Sequence, residues 1–156
     1  MDIYYTSSKK RSQQMSISDS IGGFVSTNMV SGSIFKDVSM LSYERGRSDV
    51  VCLALKIPDD CNRISISSNG DADATVSVGV EGSSDYDGEV CFSRSINGNI
   101  PSGVEMSEIA DGVEVDVSDY ESGDFVGVWI LRSIPPSGDA SCEASRNNLS
   151  IVFDCT

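Results

Sequence analysis

After Tyr43 the chain alternates apolar and polar side chains with a period of two, the pattern of strands with one buried face. Thr75-Val76-Ser77-Val78-Gly79-Val80-Glu81 and Gly112-Val113-Glu114-Val115-Asp116-Val117 alternate cleanly, and Arg63-Ile64-Ser65-Ile66-Ser67 does so over a shorter span. Two stretches are apolar almost without a break. One is Val50-Val51-Cys52-Leu53-Ala54-Leu55-Lys56-Ile57, stopped by Pro58-Asp59-Asp60. The other is Phe125-Val126-Gly127-Val128-Trp129-Ile130-Leu131, which holds the only tryptophan and leads through Arg132-Ser133-Ile134 into Pro135-Pro136-Ser137-Gly138. Such runs suit strands covered on both faces, and the prolines cannot continue a hydrogen-bonded ladder. Glu89 to Ile96 and Asn148 to Asp154 complete the strand set, and Asn69-Gly70-Asp71 and Asp87-Gly88 turn the chain between strands.

This pattern predicts an all-β domain, an antiparallel β-sandwich or jelly roll of about seven or eight strands. No helical stripe of useful length occurs, and Val104 to Ile109 is at most one turn or a short strand. A parallel α/β fold is excluded because its crossovers need helices. No repeat of fixed period is present. Residues 1–40 differ in texture: they are serine-rich and polar, with Gly22-Gly23 in the middle and short apolar anchors at Ile21, Phe24, Val25, Ile34 and Phe35. They are expected to form an extended N-terminal arm whose anchors dock on the body or on a neighbour, with the sandwich at 41–156. Removing the arm is expected to leave a folded body.

Composition narrows the function. With 24 acidic against 11 basic side chains the net charge is −13, which argues against a broad nucleic-acid-binding surface. The basic cluster Lys9-Lys10-Arg11 reads as a solvated tail. No segment approaches the roughly eighteen apolar residues that a membrane span needs. The first residues lack the apolar stretch of a secretory signal. Five cysteines (Cys52, Cys61, Cys91, Cys142, Cys155) stand at irregular spacing without a Cys-x-x-Cys pair. Reduced thiols are the default expectation, with a Cys142–Cys155 disulfide as the alternative.

Histidine is absent, which removes Ser-His-Asp and Cys-His catalysis and the commonest general base. No Walker-type loop or dinucleotide-binding glycine pattern occurs. Carboxylate pairs remain. Asp71 with Asp73, and Asp85 with Asp87, supply hard oxygen ligands of the kind calcium takes, although neither fits an EF-hand loop. Turn geometry and solubility are the preferred reading, because Asp is a leading turn residue. No cofactor is expected. Tyr4, Tyr5, Tyr86 and Tyr120 are scattered, and a saccharide platform built from them would make the chain a carbohydrate- or receptor-binding module. Arg45, Arg47, Lys56 and Arg132 flank buried runs, where they frame strand ends or pair with acids across an interface. Ile21, Phe24, Ile34, Phe35, Arg45 and Arg47 are the interface candidates.

Read in order, several blocks resemble a family of virion structural proteins of tailed bacteriophages. Asp19-Ser20-Ile21-Gly22-Gly23-Phe24-Val25-Ser26-Thr27 resembles its N-terminal Ser-Leu-Gly-Gly-like segment with a nearby Ser-Thr. Ile34-Phe35-Lys36-Asp37-Val38-Ser39 with Tyr43-Glu44-Arg45-Gly46, the cysteine strand Asp49 to Lys56, and Ile100-Pro101-Ser102-Gly103-Val104 follow in the same order. Gly127-Val128-Trp129-Ile130-Leu131-Arg132-Ser133-Ile134-Pro135 resembles the family's Trp strand with its Arg and proline exit. The chain departs at Val51, at Ser133 and at Ile57-Pro58, where the family often has an aromatic or basic residue, a second Arg, and an Asn. The resemblance implies a non-enzymatic virion part. Such a part is present in multiple copies on a symmetric particle, contacts capsid, neck or tail proteins, and is assembled in the bacterial cytoplasm.

Overall fold

The structure, a computed structural model, describes residues 1–30, 46–68, 75–109, 112–134 and 151–156. These residues form eleven strands and no helix. The strands are β1 (Ile3–Ser7), β2 (Gly22–Met29), β3 (Arg47–Lys56), β4 (Arg63–Ser68), β5 (Thr75–Gly82), β6 (Ser84–Tyr86), β7 (Glu89–Arg94), β8 (Ser107–Glu108), β9 (Val113–Asp116), β10 (Phe125–Ile134) and β11 (Ile151–Cys155). Eight of them form one antiparallel sheet in the order β6-β7-β2-β1-β3-β10-β5-β8, and β11-β4-β9 form a second. The all-β, sandwich-like domain expected from alternation is therefore present. It has more strands than alternation revealed, because short or polar strands (β1, β2, β6, β8) do not alternate.

The two apolar runs occupy the middle of the large sheet. β3 and β10 pair over their whole lengths, from Phe125 opposite Lys56 to Ile134 opposite Arg47. Successive side chains point to opposite faces, so each strand feeds two cores. Val51, Leu53 and Leu55 of β3 and Val126, Val128 and Ile130 of β10 face the small sheet, where Ile64 and Ile66 of β4 meet them. Cys52, Ala54 and Trp129 face the other way and pack with Phe92 of β7. A run without alternation is thus a strand buried on both sides.

The second core exists because the large sheet curls. β7 is separated from β10 by β2, β1 and β3, yet Phe92 lies against Gly127 of β10. An alanine Cβ at Gly127 would stand 2.8 Å from the Phe92 ring. Glu81 of β5 fastens the curl: it accepts hydrogen bonds from the Trp129 indole (3.0 Å) and from the Ser93 backbone N–H (3.1 Å) on β7. Burial, and then the Glu81 charge, push the Cys52 thiol well above its ordinary value, so it stays protonated and is a poor nucleophile. Gly127→Ala should destabilise the domain by about 1–3 kcal/mol, the usual cost of overpacking a filled core. Denaturant unfolding should show that loss largely relieved by adding Phe92→Leu.

The N-terminal segment differs from expectation. β1 lies inside the large sheet between β2 and β3, with Tyr4 opposite both Met29 and Ala54. Residues 1–30 are therefore woven into the body rather than extended from it, and deleting them would remove strands from the middle of the sheet. The physical reason is hydrogen bonding: buried Thr6 donates to the Cys52 carbonyl (2.7 Å) and accepts from Gly22 N–H (3.0 Å). Gly22 and Gly23 adopt φ of 98° and 97° where β2 crosses close to β7 and β1, a conformation side-chain-bearing residues disfavour. Lys9-Lys10-Arg11 is not a loose tail either. Lys10 pairs with Asp87 (2.6 Å) and Arg11 with Glu89 (3.0 Å) on the β6–β7 hairpin.

The cysteine expectation also needs correction. Cys61 and Cys155 form a disulfide, with Cα atoms 5.6 Å apart across 94 residues of sequence. Cys155 closes β11 opposite Ile64 of β4, which brings it beside the residue that leads into β4. Cys142 lies outside the described residues, as do Ile34, Phe35, Arg45, Asp71, Asp73 and the Asn69-Gly70 turn.

Candidate ligand cleft

A cleft of about 290 Å³ opens where β3 begins and β10 ends. Four segments build it. The start of β3 supplies Arg47, Ser48, Asp49, Val50 and Val51, and β10 adds Arg132. Ile17, Ser18 and Ile21 come from the loop before β2, while the turn after β7 brings Ser95, Asn97 and Gly98. Backbone hydrogen bonds hold the segments together: Cys52 N–H donates to Ser20 O, and Ser95 N–H to Ile21 O, each at 2.8 Å. The Asn97-Gly98 turn is tight, with φ of 55° and 74°, and the Ser95 hydroxyl donates to Asn99 O at 2.8 Å to brace it.

Strand register creates the electrostatics. Arg132 stands opposite Asp49, and Ile134 opposite Arg47. Asp49 takes both guanidiniums: Arg132 Nη2 and Nε donate to Oδ2 at 2.8 and 3.2 Å, while Arg47 Nε donates to Oδ1 at 2.9 Å. Arg132 is only 1% exposed, whereas the Arg47 side chain is 39% exposed at the rim. Among the described lining residues Arg47 and Arg132 are the cations and Asp49 the anion, in a chain whose net charge is −13. Ile17, Ile21, Val50 and Val51 give it apolar walls.

A buried ion pair is weak support for stability, because desolvation offsets much of the attraction. Charged groups fixed in a concave, partly apolar recess are the arrangement that ligand sites use.

Of the interface candidates, the structure brings Ile21 and Arg47 together here. Phe24 lies elsewhere, 6.3 Å from the Tyr86 ring, with Lys10 Nζ near both rings. The carboxylates proposed for calcium have other work where they are described. Asp85 accepts from Gly88 N–H at 3.0 Å, a turn-stabilising role. Asp87 is held by Lys10, whose hydrogen bond and charge keep its carboxyl below the usual range. No group of three His, Cys, Asp or Glu side chains among the described residues is placed to hold a metal ion. The described tyrosines do not gather: Tyr5 is buried, Tyr4 packs edge-on to Phe125 at 5.7 Å, Tyr120 packs against the inter-sheet core, and Tyr86 is well exposed.

Sequence reasoning missed the Asp49–Arg132 pair: it had Arg132 framing a strand end or pairing with an acid across an interface. The two residues are 83 apart, and only the β3–β10 register aligns them. For the missed Asn97 and Gly98, the signal that could have found them is a turn dipeptide directly after a strand. No protein-family model, no curated protein and no solved structure matches the chain.

Proposed function

We propose that the protein is a non-enzymatic structural component of a tailed-phage virion. Its role is that of an accessory subunit, by preference a capsid decoration protein and otherwise a neck or tail part, held to its neighbours through the cleft. The observation that carries this reading is the convergence of Ile21 and Arg47 with the buried Arg132–Asp49 pair in one recess. The ordered blocks of resemblance in the sequence point to the same class of protein, and the absence of histidine fits a role without acid–base chemistry. Multiple copies on a symmetric particle let a modest interface hold firmly. A disulfide between Cys61 and Cys155 suits a subunit assembled reduced in the cytoplasm and oxidised after release.

The test is co-sedimentation with particles assembled without this protein. Ile21→Asp and Arg47→Glu should each reduce bound protein at least tenfold, with thermal unfolding close to that of the unaltered chain. Undiminished co-sedimentation of both variants overturns the docking role of the cleft.

A further inference from the structure

We infer that the cleft is a carboxylate-binding site, and that its occupant is an acidic side chain flanked by apolar residues in an extended segment of the neighbouring protein. The identity of that neighbour rests on the virion reading; the chemistry of the site does not. Arg47 uses Nε and Nη2 on Asp49 Oδ1, both at 2.9 Å. Its Nη1 has no hydrogen-bond partner among the described residues, and the group sits at the rim where a ligand enters. Asp49 fixes the guanidinium plane from behind, so little rotamer freedom is left to lose when a carboxylate docks. A planar fork of N–H donors matches a carboxylate better than it matches a neutral group.

The surroundings select further. Asn97, exposed on its turn, and Ser48, at the exposed start of β3, add polar groups at the mouth. Ile17, Ile21, Val50 and Val51 receive a short branched apolar body, not a long chain, in about 290 Å³. The Arg47 guanidinium exposed at the rim opposes a cationic ligand. In a chain of net charge −13, that guanidinium gives an approaching acidic segment a local attraction.

Isovalerate, a carboxylate on a leucine-like body, and its neutral isostere isovaleramide are matched probes. In NMR titrations, isovalerate should shift the amide signals of Ile21, Val51, Ser95 and Asn97 saturably. Isovaleramide should bind at least tenfold more weakly, and raising the salt concentration should weaken isovalerate alone. Arg47→Gln, a substitution at an exposed position, should reduce isovalerate binding at least tenfold while leaving the rest of the spectrum in place. Equal binding of the two probes, no binding by either, or an unchanged response in Arg47→Gln overturns the inference. If Arg47→Glu abolishes particle binding while isovalerate fails to bind, the docking reading stands and the carboxylate assignment falls. If isovalerate binds as expected but particles take up Arg47→Glu normally, the assignment stands and the virion docking reading falls.

Discussion

Replacing Cys61 and Cys155 together by serine lowers the unfolding free energy by about 4–5 kcal/mol and the melting temperature by roughly 10–15 °C. The size follows from topology: the bond spans 94 residues, so the cross-link removes much of the disorder available to the unfolded chain. The bond also acts on the smaller sheet. Among the described strands β11 pairs only with β4, and its Ile151 and Phe153 cover the inter-sheet core. Untethered, a five-residue edge strand at the end of the described chain is the first element expected to fray. Calorimetry with and without dithiothreitol makes the measurement, and the serine variant must be insensitive to the reductant. Hydrogen exchange should show the amides of β11 opening before those of β3 and β10. Equal melting of the oxidised and reduced protein would show that the cross-link does not constrain the unfolded state.

How far the sequence could be read depended on how each segment satisfies burial. Strands that bury apolar side chains were visible as alternation or as unbroken runs, and β3, β4, β5, β7, β9 and β10 lie where the pattern places them. β1 and β2 were not, because apart from Tyr5 their buried positions are polar or glycine: Thr6, Ser7, Gly22, Gly23 and Ser26. Hydrogen bonds to main-chain carbonyls make that burial tolerable: Ser26 donates to Gln14 O at 2.7 Å, as Thr6 does to Cys52 O. A polar residue that finds a partner inside looks the same in a sequence as one that faces water. The cleft was half legible for a related reason. Ile21 and Arg47 stand out as an isolated apolar anchor and a charge beside a buried run. Asp49 and Arg132 acquire meaning only once two distant strands are set in register.

That register supports the second large effect. Asp49→Ala should destabilise the domain by about 3–5 kcal/mol, because Arg132 remains buried after losing the carboxylate that Nε and Nη2 engage. Asp49→Leu combined with Arg132→Met should restore stability to within about 1 kcal/mol of the unaltered protein, or exceed it, since an apolar pair carries no desolvation cost. The same double variant should lose isovalerate binding, because Arg47 no longer has the carboxylate that fixes its guanidinium. Denaturant unfolding and the NMR titration together separate two roles for one ion pair. If the double variant is as unstable as Asp49→Ala, the pair is a structural clamp between β3 and β10. If it is stable yet blind to isovalerate, the pair is retained for the ligand it orients, at a position where packing alone would have chosen carbon.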